Sequence, residues 1–287
     1  MIRRLISHCT IIAFVTAVGF HPTSSAESTD FVRGKPFYYT NRQYYIAPPP
    51  ETNPTSPEAS LGASNPEVIT HGSRERKLIA LTFDADMNPY MKRLHDEGKV
   101  KSWYNKDVIT ALEETQTPAT LFLTGMWIEM YPKVTKELAA NPLFELANHS
   151  YSHPSFDGAC YGLSHLADKD DETEIQKTQI LLRIYTGVDN KYFRFPGGCY
   201  GKKDLEVVSQ LGLQTIHWDV VGNDGFSRSP EKIEQNILSR VQNGSIIVLH
   251  MHGGPNAPET GVILPTIIKS LRAEGYAFVK VSELLQN

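Results

Sequence analysis

The sequence predicts an α/β fold in which a parallel sheet is covered by helices. Two observations carry this. From Lys77 onward, short apolar runs alternate with amphipathic segments, the pattern of repeated βα units. The residue types that do chemistry also gather just after those runs, where parallel α/β folds collect their sites.

Taken in order, Leu78 to Phe83 reads as a buried strand, Val108 to Thr115 as a helix and Ala119 to Leu123 as a second strand. Trp127 to Ala140 is helical and Phe144 to Ala147 extended. A helix over Glu172 to Tyr185 leads to a strand at Tyr192 to Phe195, and a helix over Leu205 to Leu211 to a strand at Leu213 to Trp218. Ser229-Pro230-Glu231 starts a helix, with the hydroxyl as N-cap and proline in the first turn. That helix runs to Val241, before the strand Ile246 to Leu249. A last helix, Leu264 to Glu274, precedes the strand Tyr276 to Val279. This alternation fits an open sheet or one closed into a barrel. The segment Met87 to Tyr104 exceeds a simple βα loop and reads as a flap over a groove or a surface excursion.

The N-terminus is organised differently. Arg3 and Arg4 precede a short apolar core, Ile11 to Phe20, and Ser24-Ser25-Ala26 supplies small residues for cleavage. Residues 1–26 are therefore expected to be a signal peptide, its core too short for a comfortable membrane span. Cleavage would leave no stable span and would send the chain to a periplasm or outside the cell; an uncleaved anchor is the alternative. Residues 27–73 are rich in Pro, Ser, Thr and Tyr and read as a flexible segment, leaving 74–287 as the folded domain. The net charge of −4 gives no hint of a nucleic-acid partner. Oligomeric state is open. Removing the leader removes Cys9 and leaves Cys160 and Cys199 in an oxidising compartment, where pairing is the default; the alternative is two free thiols that never meet.

Five strand ends carry catalytic residue types. Asp84 and Asp86 follow the first strand, and His149 and His153 the third. Arg194-Phe195-Pro196-Gly197-Gly198 follows at the fourth, Trp218-Asp219 with Asp224 at the fifth, and His250-Met251-His252 at the sixth. Two imidazoles four residues apart can present their nitrogens to one divalent cation, and the Ser/Asn-rich setting before Pro154 places this pair in a loop. Singly, each residue has an ordinary reading as a cap, a surface charge or a polar loop. His252, beside Gly253-Gly254, reads as a loop histidine, with contact to substrate as the alternative, and His217 as packed or hydrogen-bonded. His71, His95 and His165 carry no partner signal.

At these positions the chain resembles the polysaccharide deacetylases, carbohydrate esterase family four with its NodB homology domain. The resemblance spans Lys77 to Leu285 and covers five motifs in order: Thr82-Phe83-Asp84, His149-Ser150-x-x-His153, Arg194-Phe195-Pro196, Trp218 to Asp224, and Leu249-His250. It implies a distorted (β/α) barrel with about seven parallel strands. It also implies a divalent metal, zinc foremost, on His149 and His153, with Asp84 as general base and His250 as general acid. Arg194 would orient Asp84, and Asp224 would orient His250. The Gly197 N–H would face the developing oxyanion and Trp218 would wall the acetyl pocket.

Three departures from the family pattern stand out. Its first motif usually reads Asp-Asp, the second carboxylate being a metal ligand, and here that position is Ala85. Asp86 could supply the ligand from one residue further on; otherwise two histidines hold the ion alone. Gly197 stands where the family often has Tyr, and Gly225-Phe226 follow Asp224 where an aromatic usually comes at once. The resemblance implies an exported, metal-dependent hydrolase of N-acetyl groups on peptidoglycan or a chitin-like polymer. The alternatives are an O-acetyl esterase or other amide hydrolase on the same site, and a glycan-binding protein on a retired fold. Ala85 favours the last, while the retained Asp84, Arg194, Asp224 and His250 oppose it.

Overall fold

The computed structural model of the protein describes residues 66–167 and 170–286. The expected signal peptide and most of the expected flexible segment lie outside these residues. The strands are β1 (Val68–Ile69), β2 (Leu78–Ala85), β3 (Ala119–Leu123), β4 (Phe144–Asn148), β5 (Tyr192–Phe193), β6 (Gln214–Ile216), β7 (Val220–Val221), β8 (Ile246–His250) and β9 (Ala277–Phe278). The helices are α1 (Pro89–Asp96), α2 (Lys106–Glu114), α3 (Gly125–Met130), α4 (Pro132–Ala140), α5 (Asp171–Thr186), α6 (Lys202–Gln210), α7 (Pro230–Leu238), α8 (Thr260–Ala273) and α9 (Val281–Gln286). Every ladder between these strands is parallel.

The strand order is β1-β6-β5-β4-β3-β2-β8-β7, with β9 beside the start of β2. That order forces the sheet to curl. β6 and β7 stand six strand spacings apart in the ladder, about 29 Å across a flat sheet. Only residues 217–219 separate them, a reach of about 14 Å. The sheet therefore bends round until its two ends share one short link, giving a distorted, incompletely closed barrel with the helices outside.

The period of two along each strand divides the side chains between two layers. Ala80 on β2 packs inside the curl with Phe122, Ala147, Ile216 and Ile246. Its neighbours Ile79, Leu81, Phe83 and Ala85 point the other way, among helix residues such as Leu112, Trp127 and Leu264. Thr82, Asp84 and Asp86 share the parity of Ala80 and turn inward.

Seven of the nine strands fall on runs expected from the sequence. The other two, β1 and β7, are two-residue edge strands too short to show a pattern. β1 also moves the expected domain boundary. It pairs with β6, His71 bridges Ser245, and the Gly72 N–H donates to the Gly244 carbonyl at 2.8 Å. Residues 66–73 thus belong to the folded unit, not to a flexible segment ending at 73. The single helix expected over Trp127 to Ala140 is two helices, because Pro132 has no N–H to continue α3 and starts α4 instead. Met87 to Tyr104 is an ordered segment, not a plain loop. It contains α1, capped by Asn88, and it buries Trp103, whose indole N–H donates to the Met91 carbonyl at 2.8 Å. The expected strand at Leu213 to Trp218 ends at Ile216, and α8 begins at Thr260, four residues earlier than expected.

Asp219, in the link between β6 and β7, works at the opposite end of the barrel from the site. Its carboxylate accepts from Arg74 at 2.7 Å, from the Ser245 hydroxyl at 3.0 Å and from the Ile246 N–H at 2.9 Å. It fastens the link to the first residue of β8. Asp219→Ala leaves two buried donors, the Ser245 hydroxyl and the Ile246 N–H, without this acceptor, and we expect it to cost about 1–3 kcal/mol. A urea midpoint equal to that of wild type would show that this tie is dispensable.

Candidate active site

The strand ends bring the predicted residues together. Asp84, the last residue but one of β2, lies level with His250 on β8, so base and acid candidates share one rung of the ladder. Arg194, leaving β5, has no solvent exposure. Its Nη1 donates to Asp84 Oδ1 at 2.7 Å, while Nη2 and Nε reach the carbonyls of His217 and Ile216 at 3.3 and 3.4 Å. The guanidinium also lies 3.9 Å from the centre of the Phe122 ring, a cation–π contact that helps a desolvated cation.

Asp86 faces two imidazoles. Its Oδ1 is 3.4 Å from His149 Nε2 and 3.3 Å from His153 Nε2. The donor atoms of these three buried residues lie within 4.8 Å of one another. Asp86 Oδ1 and His149 Nε2 have no hydrogen-bond partner among the described residues. Buried polar atoms are rarely left bare, and two imidazoles with one carboxylate are a donor set suited to zinc or a similar cation. The residues therefore fit a divalent metal. His149 is also oriented for it. Its Nδ1–H donates to the Arg194 carbonyl at 2.9 Å, which fixes the tautomer and leaves Nε2 as the free lone pair. Burial alone would raise the Asp86 carboxyl, but the neighbouring imidazoles, His153 foremost, hold it well below the usual carboxylate range. Asp86 is thus an anion ready to accept a cation.

The histidine loop is held from outside. Ser150 and His153 take left-handed backbone conformations, φ 64° and 57°, uncommon for such residues. Asn148 Oδ1 accepts from the Ser150 N–H at 2.9 Å, and the His153 N–H reaches Ser150 Oγ at 3.2 Å. Glu174 on α5 accepts from the N–H groups of Tyr151 and Ser152 and from the Ser152 hydroxyl, at 2.8–3.0 Å. Nothing in the sequence marks Glu174 as a clamp, because its partners lie more than twenty residues away.

On the acid side, His250 Nδ1–H donates to Asp224 Oδ1 at 2.8 Å. Asp224 Oδ2 accepts from the His250 backbone N–H at 2.8 Å and from the Thr260 hydroxyl at 2.6 Å. Burial would lower the His250 pKa, but Asp224 outweighs it and raises it to about 10. Thr260, the first residue of α8, had no signal in the sequence.

The rim is shaped by Cys160 and Cys199, which are joined by a disulfide. Gly197 has φ 62°, and a Cβ there would meet Cys160 Sγ at 2.6 Å, so this position has neither the conformation nor the room for a tyrosine. A Cβ on Gly198 would stand 2.7 Å from the Trp218 ring. Trp218 stacks on His217 with ring centroids 3.9 Å apart; His217 is packed, and burial lowers its pKa to about 4. His252 lies in the loop after β8, as expected, but its side chain is enclosed. It is 2 % exposed, and its Nδ1 lies 3.4 Å from Asp86 Oδ2. The signal was present in the alternation, since His250-Met251-His252 puts both imidazoles on one face.

A curled parallel sheet with one cluster of carboxylates and imidazoles at its strand ends is the architecture of a (β/α)-barrel protein with its site at the C-terminal ends of the strands. The chain belongs to the polysaccharide deacetylase family, whose model matches residues 71–216. Trp218, Asp224 and His250 lie beyond that match and are placed by the structure. The chain is 27% identical to the uncharacterised protein YlxY of Bacillus subtilis over 80% of its own length, and spans 64% of that relative. It is 23% identical to a peptidoglycan-N-acetylglucosamine deacetylase of Bacillus cereus, covering 93% of this chain and 89% of that one. The crystal structure of a pseudoenzyme of carbohydrate esterase family four from Bacillus anthracis shares the fold, with a TM-score of 0.63 and 22% identity over 76% of this chain and 69% of that chain.

Folding raises the His250 pKa from 6.5 to about 10. The pair with Asp224 therefore adds stability that is fully present below pH 6.5 and is lost as pH climbs through about 10. In the metal-free protein, Asp224→Asn should bring the imidazole titration down by roughly two units or more. Proton NMR of the ring resonances measures it, and an unshifted titration would show that Asp224 does not hold the proton.

Proposed function

We propose that this chain is an exported, metal-dependent deacetylase that hydrolyses N-acetyl groups on a glycan of the peptidoglycan type. One observation carries the reading: Asp84 and His250 occupy one rung of the β2–β8 ladder, each with its own buried partner, beside a three-donor group. A divalent cation, zinc foremost, would be held by Asp86, His149 and His153, and would supply a Lewis acid that acidifies water and polarises the acetyl carbonyl.

The remaining chemistry belongs to the side chains. Asp84, aimed by Arg194 at 2.7 Å, takes the proton of the attacking water. His250, kept protonated by Asp224, gives its proton to the departing amine nitrogen. Trp218, packed on His217, walls the space for the acetyl methyl. Gly197 leaves the backbone open at the rim, where its N–H can donate to the oxyanion. The peptidoglycan class is supported by the B. cereus relative. Export is supported by the leader-like first residues and by the disulfide, a bond that persists in oxidising compartments. Among the described residues no helix is long and apolar enough to cross a membrane.

The test is acetate release from peptidoglycan, chitin oligomers and O-acetylated xylan, each with zinc and with a chelator. We expect zinc-dependent release from an N-acetylated polymer. Asp84→Asn should lower turnover by about 10²–10⁴-fold while zinc still binds one to one, because Asp84 lies outside the ligand set. Release confined to O-acetylated xylan would replace the amidase with an esterase. Binding of glycan without any release would make the chain a lectin-like relative.

A further inference from the structure

His252 remains unexplained by this chemistry. It is buried, and neither of its ring nitrogens has a hydrogen-bond partner among the described residues. An imidazole without partners is a costly thing to bury, so its placement needs a reason. The strand registry gives one. Asp84 on β2 pairs with His250 on β8. Two residues further along, just beyond the ends of β2 and β8, come Asp86 and His252, with Oδ2 and Nδ1 3.4 Å apart. Ala85 and Met251 between them turn outward into the helix-covered core.

The surroundings press His252 toward Asp86. Gly253 and Gly254 are both left-handed, φ 62° and 60°, and a Cβ on either would strike Asn105 or Trp103 within 3 Å. The loop is thus laid flat against residues 103–105, with the Trp103 ring 6.5 Å from the imidazole. The carboxylate is divided between two sets of neighbours. Oδ1 faces His149 and His153, while Oδ2 faces His252 Nδ1 at 3.4 Å. His252 is not within the compact three-donor group.

We propose that His252 is the positioning residue of Asp86. Closing the 3.4 Å gap from Nδ1–H to Oδ2 would keep the carboxylate turned with Oδ1 toward the two imidazoles. The pair makes good the carboxylate missing at position 85: Asp86 supplies the oxygen and His252 supplies the orientation. This rests on the metal reading above.

The experiment is zinc affinity, measured by competition with a chromophoric chelator, for wild type, His252→Ala, His252→Gln, Asp86→Ala and the double variant. Loss of a partner that orients a ligand typically weakens metal binding by about 10–100-fold, and we expect that of His252→Ala. His252→Gln, which keeps an N–H donor, should recover most of the loss. Asp86→Ala should weaken binding at least as much, and adding His252→Ala to it should change nothing further, because the two act as a unit. Thermal melts of the metal-free proteins check that each variant is folded. Wild-type affinity in folded His252→Ala overturns the inference. So does an undiminished effect of His252→Ala in the Asp86→Ala background, which would make His252 a ligand in its own right. Wild type that takes up no zinc overturns the metal reading itself.

Discussion

The structure depends on one desolvated charge. Arg194 sits inside the barrel with no exposure, and a bare guanidinium there would be prohibitive. It is tolerated because Asp84 neutralises it at 2.7 Å and two carbonyls of the β6–β7 region accept from its Nε and Nη2. The same residue's backbone closes the other half of the site. Its N–H donates to the Asn148 carbonyl, and its own carbonyl accepts from His149 Nδ1. One residue therefore fixes the base through its side chain and a metal-facing imidazole through its main chain. Removing the charge would leave Asp84 buried without its counter-ion and would loosen the β6–β7 link that curls the sheet.

Strand parity decides what the departure at Ala85 means. β2 stays extended through Ala85, so residue 85 faces Leu112, Trp127 and their neighbours rather than the site. A carboxylate on that side would be an unpaired charge in an apolar layer. The next inward position is 86, where an aspartate stands. A barrel that keeps its strand regular for one more residue delivers the carboxylate one residue later, and Ala85 is then the residue type that the outer layer accepts. This weakens the case for a lapsed enzyme, for which Ala85 was the main support.

Much of this could be read from the sequence because parallel strands buried on both faces produce continuous apolar runs, and their ends mark where side chains converge. Asp84, Asp86, His149, His153, Arg194, Asp224 and His250 all stand just beyond such runs. What stayed hidden has physical reasons. β1 and β7 contribute two residues each, too few for any period. Pro132 was hidden in an otherwise continuous helical pattern. Glu174 and Thr260 act through contacts set by packing, at sequence distances no local pattern spans. His252 was legible but misread, because two glycines after it suggested a free loop, whereas those glycines let the backbone lie against Trp103 and Asn105.

His250 and His252 show how neighbouring identical groups acquire different chemistry. They lie two residues apart on one face, with rings 5.2 Å apart. His250 meets a buried carboxylate at hydrogen-bond distance and is 23 % exposed in its side chain, so it carries a proton where substrate can reach it. His252 is fully enclosed, and burial lowers its pKa to about 4 against the pull of Asp86, so it stays neutral. Had both been cations, their repulsion would have weakened the proton on His250 or expelled the loop. Keeping one imidazole charged and the other neutral lets the site hold an acid beside a polar, uncharged N–H donor. Environments that push like groups apart in pKa are how a single fold separates proton donation from ligand orientation.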